Sequence, residues 1–203
     1  NKNGGLHYPV WLLERPSVHF SPEAYGYYRM HVSQKEVSDE KACGEAKTQI
    51  RNYSAQDQEV TVRWSLKDAE GVEVLAHNET VTLAGGSAQD VVWDYVLENP
   101  HLWNGLEDPY LYTLTVGAGE DRAETEVGFR YFSIDREKGF FLNGNSYPLR
   151  GVCLHQDKYG IASAFSKADF DKDYAIIKEL GCNFLRLAHY PHNDYAFRLC
   201  DRM

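Results

Sequence analysis

Between about Ser17 and Arg130 the apolar and polar residues alternate in short runs separated by turn residues, the period-two pattern of strands that bury one face. The sharpest run sets Val60, Val62, Trp64 and Leu66 against Thr61, Arg63, Ser65 and Lys67. Asp68-Ala69-Glu70-Gly71 then supplies a turn before Val72 and Val74, which predicts a hairpin. Similar runs occupy residues 25–32, 46–50, 81–83, 91–96, 110–116 and 123–129. Seven or eight strands in this span fit a β-sandwich of immunoglobulin type, although the Cys-Trp-Cys spacing of antibody domains is missing. The architecture by itself carries no function.

After Tyr131 the period changes. Phe140-Phe141-Leu142 and Tyr147-Pro148-Leu149 flank Asn143-Gly144-Asn145, where the Asn-Gly pair predicts a tight turn. The run 149–154 reads as a short strand ending in His155-Gln156-Asp157. Ser166-Lys167-Ala168-Asp169 has the form of a capping box, Phe170, Tyr174, Ile177 and Leu180 follow at helical spacing, and Gly181 closes the helix. A second apolar run, 184–188, ends in His189-Tyr190-Pro191, and Asn193 can cap a second helix with Ala196, Phe197, Leu199 and Cys200. The order β-α-β-α predicts two parallel strands joined by a crossover helix. Two such strands cannot cover both faces of a parallel sheet, so the expectation is a piece of a larger α/β domain in a mainly β chain.

Composition narrows the partners. The 203 residues carry 21 Lys and Arg against 30 Asp and Glu, a formal charge of −9, with no basic run to neutralise phosphates. Nucleic acid and an anionic membrane surface are therefore not expected partners. No stretch approaches 18 consecutive apolar residues, and Asn1-Lys2-Asn3-Gly4-Gly5 lacks the apolar core of a signal peptide, while export of a longer precursor stays open. Cys43, Cys153, Cys182 and Cys200 are scattered without a C-x-x-C pair, so buried free thiols are expected rather than a zinc knuckle, a redox motif or a disulfide scaffold.

In a parallel α/β domain the reactive side chains gather at the C-terminal ends of the strands. Those positions hold His155, Gln156 and Asp157 after the first strand, and Arg186, His189, Tyr190 and His192 in or after the second. Imidazoles that bond hydroxyls beside an aromatic ring suit a hydroxyl-rich ligand. Two other readings stay open at this point: His155, His189 and His192 as zinc ligands, though no H-E-x-x-H spacing is present, or as hydrogen-bonded structural residues. Arg186 has a satisfied buried arginine as its alternative. Asp169-x-Asp171-x-Asp173 imitates the start of a calcium loop, but Tyr174 and Leu180 stand where Gly and Glu are required. Asn52-Tyr53-Ser54 and Asn78-Glu79-Thr80 match glycosylation triplets and receive no function.

The strings Arg150-Gly151-Val152-Cys153-Leu154-His155-Gln156-Asp157 and Asn183-Phe184-Leu185-Arg186-Leu187-Ala188-His189-Tyr190-Pro191 resemble glycoside hydrolase family 2, and within it the β-galactosidases. Asn99-Pro100-His101-Leu102-Trp103, Pro109-Tyr110-Leu111-Tyr112 and Gly128-Phe129-Arg130 resemble the last strands of that family's immunoglobulin-like domain, and Pro9-Val10-Trp11-Leu12 the end of its preceding jelly roll. The resemblance implies three parts: residues 1–15 as the exit of the sugar-binding jelly roll, 16–130 as the immunoglobulin-like sandwich, and 131–203 as the first two βα units of a truncated (β/α)8 TIM barrel. It implies retaining hydrolysis of terminal β-D-galactosides by a longer parent, whose two glutamates come from later barrel strands, so this piece holds no catalytic carboxylate and is expected to be inactive alone. It implies substrate-positioning roles for His155 and His189, a place for Arg186 beneath the catalytic carboxylates, and a pocket position for Asp157. No cofactor or metal is expected here; a magnesium ion, where the family has one, belongs to residues beyond Met203. A β-galactoside is the implied partner, and a homo-oligomeric parent is left open. The alternatives are a sibling activity, β-glucuronidase or β-mannosidase, and a non-catalytic immunoglobulin-like carbohydrate-binding or adhesion module.

Overall fold

A computed structural model describes residues 10–22, 24 and 29–203. It is mainly β, an immunoglobulin-like sandwich followed by the start of a TIM barrel. One compact unit comprises residues 13–103 and 110–131, and the second comprises 10–12, 104–109 and 132–203. Most of the jelly-roll exit expected over residues 1–15 lies outside the described residues; Val10, Trp11 and Leu12 are exposed.

Among the described residues the first unit has eight strands: β1 (Val18–Phe20), β2 (His31–Val37), β3 (Lys41–Asn52), β4 (Gln58–Lys67), β5 (Glu73–Leu83), β6 (Ala88–Glu98), β7 (Tyr112–Ala118) and β8 (Asp121–Val127). β3 is central to one sheet, pairing with β6 along one edge and with β1 and β2 along the other. The second sheet runs β5-β4-β7-β8, and every pairing in both sheets is antiparallel. Period-two patterning decides the inner faces: Val60, Val62, Trp64 and Leu66 are all buried, as the sequence predicts. The expected hairpin is β4-β5. A line of rings crosses the core, from Trp64 to Trp93 (6.2 Å), Tyr95 (5.9 Å), Phe129 (6.1 Å) and Tyr112 (5.2 Å).

Among the described residues, the two most heavily bonded polar side chains inside the sandwich are Asn52 and Asp121, whereas the Trp64 indole N–H and the Ser21 hydroxyl are buried without a hydrogen bond. Asn52 is fully buried; its Nδ2 donates to the carbonyls of Gln56 and Leu83, and its Oδ1 accepts from the backbone and hydroxyl of Ser54. That saturation makes the first glycosylation triplet a structural corner. Asp121, 4% exposed, accepts from the backbone of Phe20 and pairs with the guanidiniums of Arg15 and Arg29. Gly44 is required by close approach, since a Cβ there would lie 2.0 Å from the carbonyl oxygen of Ser33.

Two strand boundaries differ from expectation. The run predicted over 25–32 is a strand only from His31, with 25–28 outside the described residues, and it continues to Val37 through a bulge at Gln34/Glu36. The run predicted over 46–50 is part of the twelve-residue β3, because its inward positions 42 and 44 are the small Ala and Gly that apolar patterning passes over.

The second unit opens with an antiparallel ribbon, β9 (Phe132–Asp135), β10 (Gly139–Leu142) and β11 (Asn145–Ser146). Asn143 and Gly144 make its turn with φ of 47° and 76°, the positive pair that an Asn-Gly hairpin turn requires. Then come β12 (Gly151–Leu154), α1 (Lys167–Glu179), β13 (Phe184–Leu187) and α2 (Asp194–Arg202). β12 and β13 are parallel, in the register Gly151↔Phe184 to Leu154↔Leu187. The predicted caps are in place: Ser166 and Asp169 form a full capping box, Gly181 takes φ 74°, and Asn193 accepts from the backbone of Tyr195. Phe170, Tyr174 and Ala196 form a small core against Leu154, Leu185 and Leu187.

Candidate functional site

The site is set by the register of two short strands. Asn183, just before β13, accepts from the backbone of Arg150 at 2.7 Å through Oδ1 and donates from Nδ2 to the carbonyl of Pro148 at 3.0 Å. This clamp fixes where β12 starts beside β13, and therefore where both end. Gly151 is needed at that point, because a Cβ would meet the Phe184 carbonyl oxygen at 2.0 Å. Alternation along β13 turns Leu185 and Leu187 toward the helices and leaves Phe184 and Arg186 on the other, exposed face. There the Arg186 guanidinium lies 3.9 Å from Sγ of Cys153, its register partner. The four cysteines are free, but Cys153 is exposed on this bare face and the other three are only half-buried, not buried as expected. Arg186 is thus exposed rather than the buried, satisfied arginine that stood as its alternative.

At the C-terminal ends of the two strands the imidazoles of His155 and His189 meet edge to face, with centroids 5.3 Å apart and planes at 88°. The Tyr190 ring closes the group at 5.9 Å from His155. Both histidines are exposed, and among the described residues neither has a hydrogen bond to its ring nitrogens, which are thus open to a ligand hydroxyl. Asp157 is exposed on the same loop and joins no hydrogen bond or ion pair among the described residues.

His192 belongs elsewhere. It is 5% exposed, its ring stacks parallel on Tyr190 at 4.8 Å, and its Nε2 donates to the carbonyl of Ala188 at 3.0 Å. Of the three histidines weighed together as metal ligands, the structure therefore pairs two and engages the third in the loop. Among the described residues no group of three or more His, Cys, Asp or Glu side chains converges on a point. The aspartates of α1 are likewise divided: Asp169 completes the capping box and binds Lys158 at 2.8 Å, Asp171 accepts from the Tyr195 hydroxyl at 2.7 Å, and Asp173 lies 4.0 Å from Lys158.

The Lys158–Asp169 pair anchors the loop after β12 to α1. The Lys158 ammonium and the Ser166 hydroxyl hold the Asp169 carboxyl well below the usual carboxylate range, and Asp169 raises the Lys158 ammonium in return. Burial pushes the Tyr174 phenol up; its hydroxyl donates to the Ala196 carbonyl at 2.8 Å and so joins the two helices. Sequence reasoning placed Gln156 at the strand end without a role, yet it is 2% exposed and fully hydrogen-bonded to three segments. Its partners, Ser163, Tyr190 and Asn193, lie 7 to 37 residues away, and the only local signal is a polar residue between two others.

Among the described residues no helix is long and apolar enough to cross a membrane. Residues 28–130 match Glycosyl hydrolases family 2, and residues 134–203 match Glycosyl hydrolases family 2, TIM barrel domain. The chain is 32% identical to a β-glucuronidase of Bacteroides fragilis over 100% of its own length and 30% of that protein. It is 33% identical to the β-galactosidase BoGH2A of Bacteroides ovatus over 98% of its own length and 23% of that protein. The crystal structure of a Bacteroides uniformis β-glucuronidase superposes with a TM-score of 0.88 at 28% identity, covering 92% of this chain and 23% of that one. The chain thus spans 23% to 30% of the length of these relatives.

Proposed function

This chain belongs to glycosyl hydrolase family 2, and from that premise we propose that it is the sugar-positioning part of a retaining β-galactosidase. The observation that carries the reading is the edge-to-face pair of His155 and His189, whose open ring nitrogens stand together at the C-terminal ends of adjacent parallel strands. Imidazole nitrogens at that place bond hydroxyls of the terminal sugar, and such bonds tighten as the ring flattens toward an oxocarbenium ion, which lowers the barrier rather than merely aiding binding. Asp157, on the same loop, adds a carboxylate that accepts from a hydroxyl. Arg186 faces away from the helices, and in this reading its charge lies beneath the catalytic carboxylates and keeps the nucleophile ionised. The acid and the nucleophile, about 5–5.5 Å apart in a retaining enzyme, are supplied by residues outside 1–203. The chain alone is then catalytically silent.

A sibling sugar is the second reading, favoured by the relatives named β-glucuronidases. The test is hydrolysis of nitrophenyl β-galactoside, β-glucuronide, β-mannoside and β-glucoside by the full open reading frame that encodes this chain. The galactoside is expected to be turned over best; preference for the glucuronide replaces the first reading by the second. His155→Ala and His189→Ala are each expected to lower kcat/KM by about 10²-fold, the loss of one hydrogen bond to a charged transition state at roughly 3 kcal/mol.

A further inference from the structure

Gln156 lies between two exposed residues, His155 and Asp157, and is itself almost wholly buried. An amide has two donors and an acceptor, and burying it unpaired is costly, so its bonds indicate what its burial accomplishes. Nε2 donates to the carbonyl of Ser163 at 2.8 Å, at the far end of the loop that follows β12. Oε1 accepts from the backbone N–H of Asn193 at 3.2 Å, at the cap of α2. Its own backbone N–H donates to the Tyr190 hydroxyl at 2.8 Å, in the loop that follows β13. Tyr190 is in turn stacked on the buried His192. His155 is covalently next to the first anchor and His189 is next to Tyr190, so this one residue ties together the two loops from which the imidazoles project.

We infer that Gln156 is a positioning residue that sets the separation and angle of the His155 and His189 rings by bonding both loops beneath them, without itself touching the sugar. The inference rests on the reading of those rings as the sugar-holding pair.

Glutamate at this position makes the tie switchable. A protonated Glu has nearly the shape of Gln, donates through its hydroxyl to Ser163 and accepts from Asn193; once ionised it is an acceptor only and repels the Ser163 carbonyl. Burial raises the pH at which that ionisation occurs. Two measurements are made from pH 5 to 8 on wild type, Gln156→Glu and Gln156→Ala. In this chain, NMR follows the imidazole Cε1–H resonances of His155 and His189 and the exchange rate of the Asn193 amide. In the full open reading frame, kcat and KM are followed on the nitrophenyl glycoside that it turns over best.

Gln156→Glu is expected to match wild type at the acid end. As pH rises, both histidine resonances depart together from the wild-type titration, the Asn193 amide exchanges about ten-fold faster, and kcat/KM falls about ten-fold, chiefly in kcat, with an ionisation that wild type lacks. Gln156→Ala is low throughout; if it fails to fold, the glutamate series carries the test, because its acid form retains the tie. Wild-type resonances and amide exchange in Gln156→Glu at every pH overturn the inference, and so does displacement of the rings with unchanged kcat. Should wild type hydrolyse none of the glycosides, the reading of the function fails, and the resonances with the amide exchange still decide whether Gln156 sets the ring pair.

Discussion

In the sandwich, β3, β4 and β6 bury every second side chain against a facing sheet, and buried polar groups such as Asn52 and Asp121 bond to partners 31 and 101 residues away. In the βαβα segment, β12 and β13 are four residues each and bury only the side that meets the helices, so Phe184 and Arg186 on the other side stay exposed. The difference separates scaffold from site. Where alternation is complete, buried polar side chains such as Asn52 and Asp121 are used to hold the fold. Where one face stays bare, the side chains proposed to act on the sugar, His155, His189 and Arg186, stand with few or no partners.

The comparison predicts where substitutions cost stability. Trp64→Ala empties a fully buried site at the start of the ring line and is expected to cost about 3–5 kcal/mol, read from urea unfolding of the chain. A cost below about 1 kcal/mol would remove the sandwich core from the account. Asp121→Ala strips a buried carboxylate from two arginines and from the Phe20 amide and is expected to cost about 3 kcal/mol, near the lower bound for a broken buried pair because Arg15 and Arg29 reach solvent.

In the βαβα segment the expected costs are smaller and local. Asn183→Ala leaves the Arg150 amide and the Pro148 carbonyl without their partner and is expected to cost about 1–3 kcal/mol. Amide exchange should quicken across β12 and β13 and remain unchanged in β3 and β6. Equal acceleration in both regions would mean that the two unfold as one.

Ser166→Ala removes the cap of α1, for about 1 kcal/mol. The same cap gives the segment its pH dependence. The Asp169 carboxyl titrates lower in the folded chain than when unfolded, so its stabilisation is fully present above the unfolded value near pH 4 and is lost as pH falls toward the folded one. Lys158 is shifted upward, so its share is present below about pH 10.5 and is lost in more alkaline solution. Acid titration below pH 4 should therefore speed amide exchange in α1, and Asp169→Asn should flatten that response; an unaltered acid response in the variant would contradict the assignment.

Much of this was legible in the sequence, for reasons that differ by region. The strands around Trp64 and Trp93 showed because inner-face residues are large and apolar and their neighbours polar. β2 was misplaced because Ser33, Gln34, Lys35 and Glu36 alternate little: it is an edge strand with a bulge. Ser166 and Asn193 were readable as caps because capping is a local bond. The strand ends correctly nominated His155 and His189 as neighbours, since parallel strands one crossover apart end side by side. Gln156 escaped because its bonds reach Tyr190 and Asn193, 34 and 37 residues away, and no periodicity encodes them. The burial of His192, which sets it apart from the exposed pair, was hidden for the same reason.

The central claim is that residues 1–203 hold a sugar for carboxylates that lie elsewhere in a longer protein. The direct test is hydrolysis of nitrophenyl β-galactoside and β-glucuronide by the full open reading frame, by its His155→Ala/His189→Ala variant, and by residues 1–203 alone. The account predicts turnover by the full protein, a loss of at least about 10²-fold in the double variant, and none by residues 1–203. Turnover by residues 1–203, or a double variant as active as wild type, would contradict it.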